Sequence, residues 1–102
     1  VEGINWAIQH KMDVINMSFG TSEDNYALRH AIREASRAGI ILVASAGNNG
    51  GKLEYPGAYR EVVAVGAVDK ENKLADFSSR GPGLDVVAPG VGIKSTWLKN
   101  QY

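Results

Sequence analysis

Residues 40–50 read IILVASAGNNG, an apolar run that stops abruptly in small and polar residues. A continuous apolar run bounded by turn residues reads as a strand buried on both faces, the pattern of a parallel sheet, and it predicts a strand over residues 40–46. Its end opens into a pocket of small residues. Gly47 lets a ligand approach the backbone, and the amide of Asn48 offers two N–H donors at the mouth of the strand. Donors of this kind can hold an oxyanion.

The preceding segment supplies a second wall. Residues 14–18 form a short strand-like run ending in Phe19 and Gly20, and Leu28, Ala31, Ile32 and Ala35 then recur at helical spacing. Strand, helix, strand predicts two parallel strands with a right-handed crossover. Ser18, Phe19 and Gly20 then leave the sheet on the same edge as Ala46, Gly47 and Asn48, the edge where open α/β folds bind ligands.

Elsewhere the pattern predicts a helix over residues 1–9, a helix over about 25–38 capped from Thr21, Ser22 or Asp24 and stopped by Gly39, and a third strand over 62–68. Residues 75–79 are expected to form a short edge segment, and 84–88 and 91–97 two further strands. Tyr55-Pro56-Gly57 is a turn with room for a cis peptide.

At 102 residues, with no repeat or linker, the chain is one domain or part of one. Eleven basic residues balance eleven acidic ones, which gives no sign of a nucleic-acid partner or an anionic membrane surface. No apolar run reaches the roughly 20 residues of a membrane span, so a soluble protein is expected, secreted or cytoplasmic. Without cysteine there is no disulfide, thiolate metal site or cysteine nucleophile in the chain.

The phrases DVINMSFG, ILVASAGNNG, YPGAY, VVAVGAVD, FSSRGP and LDVVAPGVGIKST, in this order and at these spacings, resemble the central to late part of a subtilisin-like serine protease. The resemblance spans nearly the whole chain. It implies an α/β, three-layer fold with a mostly parallel sheet and right-handed crossovers, of which residues 1–102 would be a piece truncated at both ends. Peptidases of this family use an Asp and a His upstream of the matching region and a Ser in a GTSMA-type helix start beyond it. None of the three has a counterpart here, so this chain alone is expected to be inactive. His10 and His30 match ordinary positions and read as surface or packing residues.

By the same resemblance, Asn48 is the oxyanion-hole asparagine, and Ser18, Phe19 and Gly20 pair with a polypeptide substrate as an added antiparallel strand. Ser45, Ala46, Gly47 and Asn49 wall the pocket for the residue before the scissile bond. Phe19 and Leu28 line a more distant apolar subsite, with a core role equally open to Leu28, and Phe77 falls near the leaving-group side. Asn49 stands where several relatives have Glu, and the loop over residues 50–54 is shorter than in the best-known members. With no carboxylate among Ser45, Ala46, Gly47 and Asn49, a broad and mostly apolar preference is expected. The carbonyls of Gly57, Tyr59 and Val62 with the side chain of Asp85 match a weak cation site of the family, whose oxygen donors suit Ca²⁺. The partners implied are a polypeptide substrate and the remaining segments of the catalytic domain.

Two rival readings follow from the residues. A nucleotide-binding module would cradle phosphate on residues 47–51, but neither GxxxxGK[ST] nor GxGxxG is present and no helix start follows. A scaffold relative that keeps the groove without the triad would differ only in residues outside this sequence.

Overall fold

The computed structural model describes residues 1–100, except the side chain of Asn100. Helix α1 (Glu2–Gln9) leads into strand β1 (Val14–Met17), helix α2 (Tyr26–Arg37) and strand β2 (Ile41–Ser45). Strands β3 (Val62–Val68) and β4 (Val86–Pro89) and a short 3₁₀ turn (Leu98–Asn100) complete the order. The sheet runs β1-β2-β3-β4 with every neighbouring pair parallel. In register, Val14 lies beside Ile41, Leu42 beside Val62 and Val65 beside Val86.

Helix α2 forms where the sequence places apolar residues on one face. Ala31, Ile32 and Ala35 are buried, and the Asn25 side chain accepts a hydrogen bond from the Leu28 N–H at 3.0 Å. The cap is therefore Asn25 and not Thr21, Ser22 or Asp24, because Asn25 is the last extended residue and its oxygen reaches the open first turn. Gly39, at φ +84°, ends the helix, and the N–H of Ile40 returns to the carbonyl of Ala35. Helices α1 and α2 pack on one face of the sheet, where Ile4, Met17, Ile32, Leu42, Ala44 and Val62 form the core.

The other sheet face carries Val14, Ile41, Val43, Val65 and Val86 in register. Val14, Ile41 and Val86 are each at least half exposed there. Two of the three expected layers are thus present among the described residues. None of the described helices is long and apolar enough to cross a membrane.

Three expected segments change. Residues 75–79 form a turn, with the bridge to Val68 made one residue earlier by Leu74. Bonds from the Ser78 N–H and the Arg80 side chain to the carbonyl of Ala75 curl that segment on itself. The strand expected over 84–88 is Val86–Pro89, displaced because the carboxylate of Asp85 caps the N–H of Ala64 and its own N–H bonds the Ala64 carbonyl. Residues 91–97 are not an extended strand of the sheet. Gly92, at φ +66°, turns the chain away after the bond from Gly90 N–H to the carbonyl of Val68. The Tyr55-Pro56 peptide is cis, as the turn allows.

Candidate peptide-binding and oxyanion site

The ends of β1 and β2 build the two walls. Past Met17 the chain stays exposed through Ser18, Phe19 and Gly20, and among the described residues no backbone-to-backbone hydrogen bond involves these three. This segment therefore has N–H and C=O groups with which an extended peptide could pair. The side-chain amide of Asn16 donates to the Ser18 hydroxyl at 3.0 Å, and the Ser45 hydroxyl donates to the Phe19 carbonyl at 3.5 Å.

The second wall is clamped through its backbone. Ala46 donates to the Val65 carbonyl at 2.8 Å and accepts from the N–H of Glu54 at 2.8 Å. The Gly47 carbonyl accepts from Ser79, Gly50 donates to the Phe77 carbonyl, and Gly51 accepts from Arg80. Asn49 is drawn into this clamp, since its Oδ1 accepts from the Gly51 N–H at 2.6 Å and from the Ser79 hydroxyl at 2.8 Å. Asn48 is exposed, and its side chain makes no hydrogen bond among the described residues. The backbone on either side of Asn48 is thus clamped, while its side-chain amide stays uncommitted. Beside it lies a cleft of about 420 Å³ lined by Ser45, Gly47, Asn48, Val65, Phe77 and Pro89, among others.

The two walls are tied together by residues 54 and 55. The Glu54 N–H holds Ala46, while Tyr55 and Thr21 exchange both backbone hydrogen bonds, at 2.8 and 2.9 Å. This places the Glu54 side chain between the walls. A Cβ added to Gly20 would lie 2.9 Å from Glu54 Oε2, and one added to Gly47 would overlap the same carboxylate. The pocket walls are therefore not free of carboxylate, because the loop folds Glu54 back against them.

Behind the site, the buried Tyr59 hydroxyl donates to Asp24 Oδ1 at 2.7 Å and accepts from the Asn25 N–H at 3.3 Å, while Arg29 pairs with Asp24. Hydrogen bonding from Arg29, then from Tyr59, holds the Asp24 carboxyl below its ordinary range. Burial, then the bond to Asp24, pushes the Tyr59 phenol up. This pin joins the start of α2 to the turn after cis-Pro56.

Other sequence-derived candidates lie apart from the walls. Leu28 is half-buried and packs against the helix–sheet core. Exposed His10 stacks on Trp6 with ring centroids 3.8 Å apart, and His30 stacks on Tyr26. In the cation set, Asp85 Oδ2 is engaged by the Ala64 N–H at 2.8 Å, which leaves Oδ1, and the Tyr59 carbonyl accepts from the Val62 N–H at 3.0 Å. No group of three or more His, Cys, Asp or Glu side chains able to hold a metal occurs among the described residues. Sequence reasoning passed over Glu54, Ser79 and the Asp24–Tyr59 pin. For Glu54 the available signal was its place directly before Tyr55-Pro56, at the return of the loop to the sheet.

A parallel sheet whose strand ends carry an unpaired backbone segment and a presented amide is the frame these residues build. The chain belongs to the subtilase family, whose profile matches residues 1–102. It is 46% identical over 104 residues to the minor extracellular protease Epr of Bacillus subtilis, covering all of this chain and 16% of that protein. It is 47% identical over 107 residues to subtilisin DY of Bacillus licheniformis, covering all of this chain and 39% of that protein. Among solved structures it superposes with a TM-score of 0.80 on the prenylagaramide maturation protease PagA, at 32% identity over 87% of this chain and 35% of that one. The subtilisin-like protease Apa1 from Pseudoalteromonas sp. AS-11 gives the same TM-score at 31% identity, over 87% of this chain and 21% of that one. The chain thus spans well under half the length of these relatives.

Proposed function

We propose that residues 1–102 are the oxyanion and substrate-wall portion of a subtilisin-like serine endopeptidase. The observation that carries this reading is the presentation of Asn48: clamped backbone on both sides, an uncommitted side chain, and a cleft beside it. In this reading a serine hydroxyl supplied by a segment outside this sequence attacks a peptide carbonyl bound along residues 18–20. As the carbonyl oxygen turns negative, the Asn48 amide donates to it. A His takes the serine proton and passes it to the leaving amine, and an Asp orients that His, both again from outside residues 1–102. Those same segments cover the apolar sheet face bearing Val14, Ile41 and Val86, whose exposure supports a missing layer. Ser45, Ala46, Gly47 and Asn49 wall the pocket for the residue before the cut, and Phe19 serves a more distant subsite.

A structural Ca²⁺ belongs to the same reading. Its donors would be the carbonyls of Gly57, Tyr59 and Val62 and the remaining oxygen of Asp85, an all-oxygen set of the kind this ion prefers. With one carboxylate the site is weak, and it takes no part in the chemistry.

The test is Asn48→Ala in the full-length protein. The expected result is a loss of about 10²- to 10³-fold in kcat with little change in KM, a magnitude carried over from oxyanion-hole loss in subtilisin itself rather than worked out for this chain. Unchanged kcat with a raised KM would show that Asn48 binds the ground state and would overturn the assignment.

A further inference from the structure

We infer that Glu54 turns the pocket for the residue before the scissile bond into a receptor for a lysine or arginine side chain. The inference rests on the peptidase reading above and deepens it. It starts from the backbone: Glu54 is bonded to Ala46 on one wall, and its neighbour Tyr55 is bonded twice to Thr21 on the other. Residue 54 therefore stands where the two walls meet, and its side chain lies between them. Gly20 and Gly47 are the residues its carboxylate touches, and a methyl group at either would collide with it. Gly20 and Gly47 have no side chain where the carboxylate sits, so backbone alone flanks it on the two walls.

The carboxylate is also unspent. It is half-buried and makes no hydrogen bond or ion pair among the described residues. Lys52, two residues away in the chain, does not pair with it, and Arg80 directs its guanidinium to the carbonyls of Ala75, Asp76 and Ser78. A partly desolvated carboxylate gains most from a charge-assisted hydrogen bond to a cation that displaces its water. A long basic side chain entering between residues 18–20 and 45–47 supplies that cation, and an apolar side chain leaves the charge facing it unpaired. The pocket therefore rewards Lys and Arg and penalises apolar residues, the reverse of what its wall residues alone imply.

The experiment uses the full-length enzyme and peptides that differ only at the residue before the cut, carrying Lys, Arg, Leu or Phe. The wild type is expected to cleave the Lys and Arg peptides with the higher kcat/KM, by a margin that narrows as salt is raised. Glu54→Gln, which keeps shape and removes charge, is expected to lower kcat/KM on Lys and Arg by about 10- to 100-fold, the worth of a charged hydrogen bond, and to raise it on Leu and Phe, whose penalty the charge imposes. A wild type without basic preference, or a Gln variant that loses all four peptides equally, overturns the inference while leaving the peptidase reading intact. Failure of the wild type on every peptide removes the peptidase reading and this inference with it. Should the Gln variant fail to fold, the wild-type profile and its salt series decide.

Discussion

Gly47→Ala tests whether the loop that carries Asn48 is held as rigidly as its hydrogen bonds indicate. Gly47 sits at φ +117°, a backbone conformation that costs an L residue about 1–3 kcal/mol. The new methyl would also lie 2.7 Å from the Ser79 hydroxyl and would overlap the Glu54 carboxylate. Glu54 has no partner to lose and can swing aside at little cost. Ser79 is fully buried, and moving its hydroxyl gives up the bond to Asn49 Oδ1, about 1 kcal/mol more. The expected destabilisation is therefore about 2–4 kcal/mol. It is measured by urea unfolding of the full-length protein, with peptidase activity blocked by a serine-directed inhibitor. A second arm repeats the substitution in a Glu54→Ala background, where the cost should fall only slightly, since backbone strain and Ser79 dominate. A loss below about 1 kcal/mol in the first arm would mean that the loop relaxes freely and does not hold Asn48 in place.

Tyr59→Phe should reveal the pin behind the site through pH. The phenol is raised in the folded state, so its contribution is complete below about pH 10 and is lost as pH rises beyond that, because the unfolded chain ionises first. The variant should start about 1 kcal/mol less stable at neutral pH and fall less steeply between pH 9 and about 11. Parallel alkaline slopes for the two proteins would exclude the pin. Asp24 works in the opposite direction, its lowered carboxyl giving stability at neutral pH that disappears on acidification. For the cation set, excess Ca²⁺ should raise the melting temperature of the full-length protein relative to a chelator, and Asp85→Asn should abolish the difference. A Ca²⁺-dependent shift that survives Asp85→Asn would place the ion elsewhere.

The parallel βαβ unit was legible because its signals are local: an apolar run for β2, helical spacing at Leu28, Ala31, Ile32 and Ala35, and a stopping glycine at Gly39. The end of the sheet was less so. Residues 91–97 have the valine and isoleucine of a strand, but Gly92 turns the backbone, and nothing in the alternation of side chains announces that. Residues 75–79 curl because the Arg80 guanidinium collects three carbonyls, a tertiary effect without a sequence signature. At the candidate site, the position of Asn48 and of residues 18–20 just past strand ends was legible because the apolar runs stop there. Glu54 could not be placed, since its position depends on how a loop of irregular conformation returns to Ala46 and Thr21. The exchange of bonds between Thr21 and Tyr55, 34 residues apart, decides it.

The strand order has a consequence for how the chain acquires its structure. Each strand lies beside the one that precedes it in sequence, so every rung of the ladder joins residues only about 20 to 27 positions apart. No strand must wait for a later one to be inserted between it and its neighbour. Loop closure for each addition is therefore short, and the sheet can grow in one direction from β1 to β4, at the pace at which a ribosome delivers it. Every strand in turn is briefly the exposed margin of the growing sheet. Val86–Pro89 ends in a proline whose missing N–H leaves one donor fewer for an unwanted neighbour.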